Sequence, residues 1–185
     1  GSSSNNVIEG NVIANNGINT SIGSVGVAVG FGDGITLVGV DFTTIRNNLI
    51  INNFHSGVDM VGGGLVSSDN NLITSNTINN NNLAGLFQLG GAVAVGGIGI
   101  TNSNFETINS NTVCYNTNLD FNINNVVGSS GTSNTCNNPD GWNDMGVTGC
   151  TLPCAPTPTC VIPMDDLYIT STTQLCTGTY NIIDS

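Results

Sequence analysis

The chain has 185 residues, with one arginine, no lysine, one histidine and 12 acidic residues, which gives a formal net charge of −11. This balance excludes nucleic acid as a partner, because nothing in the chain can neutralise phosphates, and it disfavours an anionic membrane surface. Only 7% of the residues are charged although 38% are hydrophobic, so the surface must consist largely of Asn, Ser, Thr and Gly. No apolar run is long enough to predict insertion into a membrane.

A six-residue motif, I-x-x-N-x-[IV], recurs four times along the chain. Its copies are Ile8–Ile13, Ile45–Ile50, Ile73–Ile78 and Ile108–Val113. A second Asn follows each copy in register, at Asn16, Asn53, Asn81 and Asn116. A degenerate fifth copy follows Asn134, where Cys136 replaces the leading Ile. The pattern indicates repeated units that stack on their neighbours.

Each unit is predicted to form short β-strands joined by bends. Apolar residues alternate with polar ones, Val, Ile and Thr dominate, and Gly or Asn interrupts every few residues. We expect the recurrent Asn to adopt the left-handed conformation of a sharp bend and to bond to its equivalents in adjacent units. The predicted ladder consists of Asn11, Asn48, Asn76, Asn111, Asn16, Asn53, Asn81 and Asn116.

The repeats resemble the right-handed parallel β-helix family with the pectate-lyase-like solenoid. The stretch 134–150 resembles the exit segment of β-helix surface proteins from methanogenic archaea, and 166–182 resembles their entry segment. The resemblance covers nearly the whole chain and implies an all-β fold. That fold is a right-handed parallel β-helix solenoid of about four to five coils with a small strand-rich C-terminal appendage.

Four segments are predicted along the chain. Residues 1–136 form the solenoid and residues 137–154 an exit cap. Residues 155–163 form a Pro-rich tether. Residues 164–185 form a short β segment that is too small to bury a core of its own, so we expect it to dock on a neighbouring subunit or on the next repeat.

The six cysteines predict disulfides and therefore an oxidising, extracellular or cell-surface location. A zinc site is the alternative, but the single His55 is remote from the cysteines in sequence. Many pairings of six cysteines are possible. The pairs that we predict are Cys114–Cys136, Cys150–Cys154 and Cys160–Cys176.

No catalytic residue is predicted. Arg46 is the only base that a lyase could use and lies beside a bend, while His55 and Ser56 are sequence neighbours that point in different directions on a strand. A glycosidase would need converging carboxylates. The candidates for these are Asp33, Asp41, Asp59 and Asp69.

No cofactor is predicted, although calcium is possible at the loop Asp140–Asp144. The alternative for this loop is an end cap in which Trp142 covers the last coil. Asn19 begins the only N-x-[ST] sequence and is a candidate glycosylation site.

The predicted function is an extracellular structural subunit of a surface layer, sheath or filament. The alternatives are an adhesin or glycan-binding module and, less favoured, a polysaccharide-active enzyme. The partners that we expect are copies of the chain, joined head to tail by residues 164–185, and glycans are further candidates. Ile182–Ser185 followed by Gly1–Ile8 reads as continuous β-helix, which fits either separate copies or one unit of a longer tandem chain.

Overall fold

A computed structural model describes residues 3–17, 32–62, 66, 68–86, 88–89 and 93–156. The chain divides into two compact units, Gly1–Cys154 and Ala155–Ser185. The predicted terminal β segment 164–185, most of the tether, Asn19, Cys160 and Cys176 lie outside the described residues.

The described residues form strands, turns and bends without any helix. The strands are, in chain order, β1 (Ser3–Ser4), β2 (Val7–Glu9), β3 (Val12–Ala14), β4 (Ile35–Val38), β5 (Val40–Asp41), β6 (Thr44–Arg46), β7 (Leu49–Ile51), β8 (Val58–Val61), β9 (Leu72–Thr74), β10 (Thr77–Asn79), β11 (Gln88–Leu89), β12 (Val93–Ala94), β13 (Ile98–Thr101), β14 (Thr107–Asn109), β15 (Thr112–Cys114), β16 (Phe121–Asn124), β17 (Ser130–Thr132) and β18 (Pro139–Asp140).

Three parallel sheets contain most of these strands. The first has the order β2-β6-β9-β14-β17, the second β3-β7-β10-β15 and the third β4-β8-β13-β16-β18. Two small sheets accompany them, the parallel pair β1-β5 and the antiparallel pair β11-β12. The prediction of an all-β fold with parallel strands is therefore confirmed.

The chain passes through the first, second and third sheets in the same order each time. We call one such passage a tier, so β2, β3 and β4 form the first tier and β6, β7 and β8 the second. In the fifth tier an isolated parallel bridge from Thr135 to Thr112 continues the second sheet. Each sheet therefore grows by one strand per tier.

The repeated motif supplies the core because its first and last residues both point inward. Parallel register aligns Ile8, Ile45, Ile73 and Ile108 in the first sheet. In the second sheet it aligns Ile13, Ile50, Ile78 and Val113. Ile45, Ile73, Ile50 and Ile78 are fully buried. Each strand of these two sheets is only three residues long, so a single central side chain faces the core, which explains the motif spacing.

The bend between the first two sheets corrects one prediction. The left-handed conformation is found in the residue before each ladder asparagine, not in the ladder asparagine itself. In the first four tiers these residues are Gly10, Asn47, Ser75 and Ser110. A bend residue with positive φ turns the chain, and the following Asn keeps ordinary backbone angles so that its side chain can reach the next tier.

Candidate functional site

Two columns of asparagine side chains run along the tiers, one at each end of the second sheet. In the first column, Nδ2 and the backbone N–H of Asn11 donate to Oδ1 of Asn48 at 3.1 and 2.9 Å. Asn48 bonds in the same way to Asn76, which bonds in the same way to Asn111. Asn134 then accepts both hydrogen bonds from Asn111. The structure thus places four predicted ladder residues in one continuous chain of hydrogen bonds.

The second column repeats this geometry with the other four predicted residues. Asn16 donates to Oδ1 of Asn53 at 2.9 Å through its side chain and at 3.1 Å through its backbone. The bonds from Asn53 to Asn81 and from Asn81 to Asn116 follow the same pattern. Within the first four tiers, each column therefore has a single direction, with the donor in the earlier tier.

Most ladder side chains also bond to backbone groups at a bend, as where Oδ1 of Asn76 accepts from the backbone N–H of Asn48 at 2.9 Å. Nδ2 of Asn76 donates to the carbonyl oxygens of Ile45 and Thr74 at 2.9 and 3.0 Å. Nδ2 of Asn81 donates to Ile50 O at 3.0 Å. A buried backbone group without a partner is costly, so the ladder maintains the bend as well as the stacking.

The first column ends at Asp144, which sequence reasoning missed. Its carboxylate accepts hydrogen bonds from the side chain and backbone N–H of Asn134 at 2.6 and 2.9 Å. Further bonds come from Nε1 of Trp142 and from the N–H and hydroxyl of Thr151. Burial alone would raise the pKa of Asp144, but these hydrogen bonds outweigh it and lower the pKa. This is the environment of an ionised acceptor that terminates the column.

The second column ends at Asp120, another residue that the sequence did not single out. Oδ1 of Asp120 accepts from the Asn116 side chain at 3.1 Å. Oδ2 accepts from the backbone N–H groups of Asn137 and Asn138 at 2.8 and 3.1 Å. Both columns therefore end at a carboxylate whose other hydrogen bonds come from later parts of the chain.

A third column leads to the buried Glu106. Asn71 accepts from the backbone N–H of Thr43 at 2.8 Å and donates its own N–H to Oε2 of Glu106 at 2.8 Å. The hydroxyl of Ser103 donates to Oε1 at 2.8 Å. Burial raises the pKa of Glu106 to about 7, although the hydrogen bonds from Ser103 and Asn71 act in the opposite direction, and the charge of Asp69 adds to the increase.

The far end of this unit is covered by the loop that was considered for calcium. Trp142 is buried and stacks on Phe121, with ring centroids 5.2 Å apart and an interplanar angle of 10°. Because Asp144 accepts hydrogen bonds from donors of the chain itself, the loop has the arrangement of an end cap rather than of a calcium loop.

Two disulfides hold this cap, and their pairing corrects the sequence prediction. They join Cys114 to Cys154 and Cys136 to Cys150, so the predicted pairs Cys114–Cys136 and Cys150–Cys154 are wrong. The bridge from Thr112 to Thr135 puts Cys136 beside Val113 in the core. Cys136 therefore occupies the last position of the motif and not the leading one that was predicted, which Gly131 takes opposite Ile108. Cys114 follows Val113 and so points to the opposite side of the strand. The prediction had assumed that cysteines in successive tiers face each other.

The four candidate carboxylates form two separate groups. The backbone N–H of Asp69 donates to Oδ1 of Asp41 at 2.7 Å, and that of Asn104 donates to Oδ1 of Asp69 at 2.7 Å. These two aspartates thus act as acceptors in a fourth column. Asp33 accepts from the backbone N–H of Ser56 at 2.8 Å, and its charge is close enough to act on the buried Asp59.

The remaining candidates lie apart from one another. Arg46 forms an exposed ion pair with Glu9 at 2.7 Å, between the first and second tiers. The His55 ring lies against that of Phe54, with centroids 5.2 Å apart and an interplanar angle of 42°, and its buried Nδ1 has no hydrogen-bond partner among the described residues. Within the described ranges, no three His, Cys, Asp or Glu side chains are grouped so as to hold a metal ion. That part of the chain also contains no helix that could cross a bilayer.

No family model, curated protein or solved structure matches the chain. The features of the chain that bear on its function are therefore the geometry of the columns, the loop around Trp142 and the exposed edges.

Replacing Asp144 with Asn should destabilise the protein, because an amide nitrogen would face donors that now meet an acceptor. At least two donors would lose their partner, which corresponds to a loss of about 2 kcal/mol or more in the free energy of unfolding. Urea unfolding of D144N measures this loss. The control is D140N, an exposed residue in the same segment, which should change stability by less than about 0.5 kcal/mol. Equal losses in the two variants would contradict the assigned role of Asp144.

Glu106 should make the protein less stable as the pH rises from 4.5 to about 7. In that window the unfolded chain has released a proton that the folded chain still holds, so the free energy of unfolding falls with increasing pH, by up to about 3 kcal/mol. E106Q removes the titration, and its amide can still accept from Asn71 and donate to Ser103. Denaturation at several pH values should give a flatter profile for E106Q than for the wild type or D140N. Parallel profiles would contradict the prediction.

Proposed function

We propose that this chain is an extracellular structural subunit of a surface layer, sheath or filament, built as a right-handed parallel β-helix solenoid. Three parallel sheets visited in a constant order support the solenoid, and the strong preference of parallel crossovers for the right hand supports its handedness. Two disulfides fit an oxidising environment outside the cell. A surface of neutral amides and hydroxyls suits a material that is exposed to solvent.

The observation that carries the proposal is the difference between the two ends of the columns. At one end Asp144, Asp120 and Trp142 close the stack. At the other end Asn11 and Asn16 are exposed, and β2, β3 and β4 each have a described strand neighbour on one side only. Ile8 and Ile13 are only partly buried there, whereas their equivalents in the second tier are fully buried. This first-tier edge is a template for strand addition.

We propose that the segment 164–185 of another copy covers this first-tier edge. When Ile182–Ser185 of one copy is placed before Gly1–Ile8 of the next, the combined sequence has the pattern of one further repeat unit. Because the contact joins two different surfaces, each added copy leaves one of these surfaces free for the next. Repeating the contact therefore produces a fibre or a sheet rather than a closed dimer. The same joint can be made covalently if several units lie in one chain.

The assembly is tested by placing a charge on the first-tier edge. Val12 is 72% exposed in β3, and V12K should lower the average mass that light scattering records at high concentration, because a charged edge resists strand pairing. V127K changes a side chain that is 65% exposed in the fourth tier and should assemble like the wild type. Deletion of residues 164–185 should have the same effect as V12K. A monomeric wild type at all concentrations would refute the proposal.

A second candidate function, glycan binding, is supported by two phenylalanines on one bend. Phe42 and Phe105 are each 55% exposed and have φ angles of 53° and 58°, which are strained for bulky residues. The backbone N–H of Phe42 donates to Asp69 O in the next tier, and that of Asn70 donates to Asn104 O one tier further. One tier is about 4.8 Å, so the backbones of the two phenylalanines lie about 10 Å apart with Asn70 between them.

This phenylalanine row suits a neutral polysaccharide. Aromatic faces pack on the apolar faces of pyranose rings, an amide pairs with hydroxyl groups, and one tier is comparable in length with one pyranose unit. Asp41 and Asp69 lie beside the row, and their charges disfavour an acidic glycan.

Glycan binding is tested with F42N and F105N. Asn tolerates the left-handed conformation, so both variants should keep or gain thermal stability while they lose retention on insoluble neutral polysaccharides. V12K, which leaves the row intact, serves as the control. Retention that is absent in the wild type, or unchanged in both variants, would contradict this function.

A further inference from the structure

Asp59 is a fully buried carboxylate, and neither of its oxygens has a hydrogen-bond partner among the residues that the structure describes. In β8, Val58 and Met60 point into the core, so Asp59 projects from the outer face of the third sheet. Register places it between Thr36 of β4 and Gly99 of β13. An ionised group in such a place is very costly unless a counter-charge accompanies it.

The segment that begins with β12 covers this outer face. The backbone N–H of Ala94 donates to the hydroxyl of Thr101 at 2.8 Å, and Nδ2 of Asn122 donates to Val95 O at 3.1 Å. A Cβ atom on Gly99 would lie 3.1 Å from Oδ1 of Asp59 and would also collide with the carbonyl oxygen of Ala94. Oδ1 of Asp59 and the carbonyl oxygen of Ala94 therefore border the same space beside Gly99.

Asp33 brings a second carboxylate to this place. It is buried, and the hydroxyl of Thr36 donates to its Oδ2 at 3.1 Å. Burial, together with the charge of Asp33, raises the pKa of Asp59 well above its ordinary value. The single Arg or Lys of the sequence, Arg46, is engaged with Glu9 at the exposed ion pair. No Lys or Arg side chain is therefore available to neutralise the two acids.

We propose that a calcium ion binds between the outer face of the third sheet and the covering segment, held by the Asp59 carboxylate with Asp33 and the Ala94 carbonyl. Carboxylate, carbonyl and hydroxyl oxygens are the ligands that calcium prefers, and it accepts irregular geometry more readily than magnesium does. The ion supplies the charge that Asp59 lacks and fastens the cover to the sheet. This site is distinct from the loop Asp140–Asp144.

The test uses the full chain, freed of metal with a chelator and then titrated with CaCl₂. Calorimetry should give one calcium ion per chain, and the Tm should rise with the logarithm of the calcium concentration. D59N and D33N should weaken calcium binding by at least about tenfold, since each removes a charged ligand. D140N, which removes an exposed acid from the same outer face, should bind calcium like the wild type.

Two results would overturn the proposal. One is a wild type that neither binds calcium nor gains thermal stability from it. The other is unchanged calcium affinity in D59N, with D33N as the second variant if D59N does not fold. Under either result Asp59 is a protonated buried acid, and a Tm of D59N at or above that of the calcium-free wild type would identify it as such. MgCl₂ and NaCl titrations show whether the response is specific to calcium.

Discussion

The hydrogen bonds from each ladder asparagine to Oδ1 of the next are the interaction on which the other features of this unit depend. At a bend, the backbone leaves the sheet and its polar groups lose their partners. Asn76 meets this need because its Oδ1 accepts from the backbone N–H of Asn48, while its Nδ2 donates to Oδ1 of Asn111. Because its backbone N–H also donates to Asn111, the bend and the stacking of tiers form together.

The direction of these bonds makes the two ends of the unit chemically different. An amide side chain both donates and accepts, so each asparagine can accept from the preceding tier and donate to the next one. The last group of a column has no further tier to donate to, so a group that only accepts fits that position. Asp144 and Asp120 supply that group, and the donors around Asp144 lower its pKa. The cap, its disulfides and the stacking of Trp142 on Phe121 therefore belong to one end, while the exposed amides of Asn11 and Asn16 belong to the other. Such polarity supports the proposed head-to-tail assembly.

The near absence of basic side chains gives the acidic residues an unusual role. Asp41, Asp69, Glu106, Asp120 and Asp144 all accept hydrogen bonds from backbone N–H groups. Backbone amides thus replace lysine and arginine as the partners of carboxylates. Asp59 departs from this rule, since it is buried and none of the described residues donates a hydrogen bond to it. This contrast is the physical basis for assigning a cation to it.

The sequence by itself determined the inward isoleucines and the eight ladder asparagines, because both recur at constant offsets from the bend. It could not indicate Asp120 or Asp144, which lie four residues after Asn116 and ten after Asn134 and so repeat no spacing. The disulfide pairing, too, was decided by tertiary structure, because the faces of Cys114 and Cys136 depend on strand register. The pairing of Asp33 with Asp59 has the same origin. Residues far apart in sequence meet only where parallel register and a covering segment bring them together.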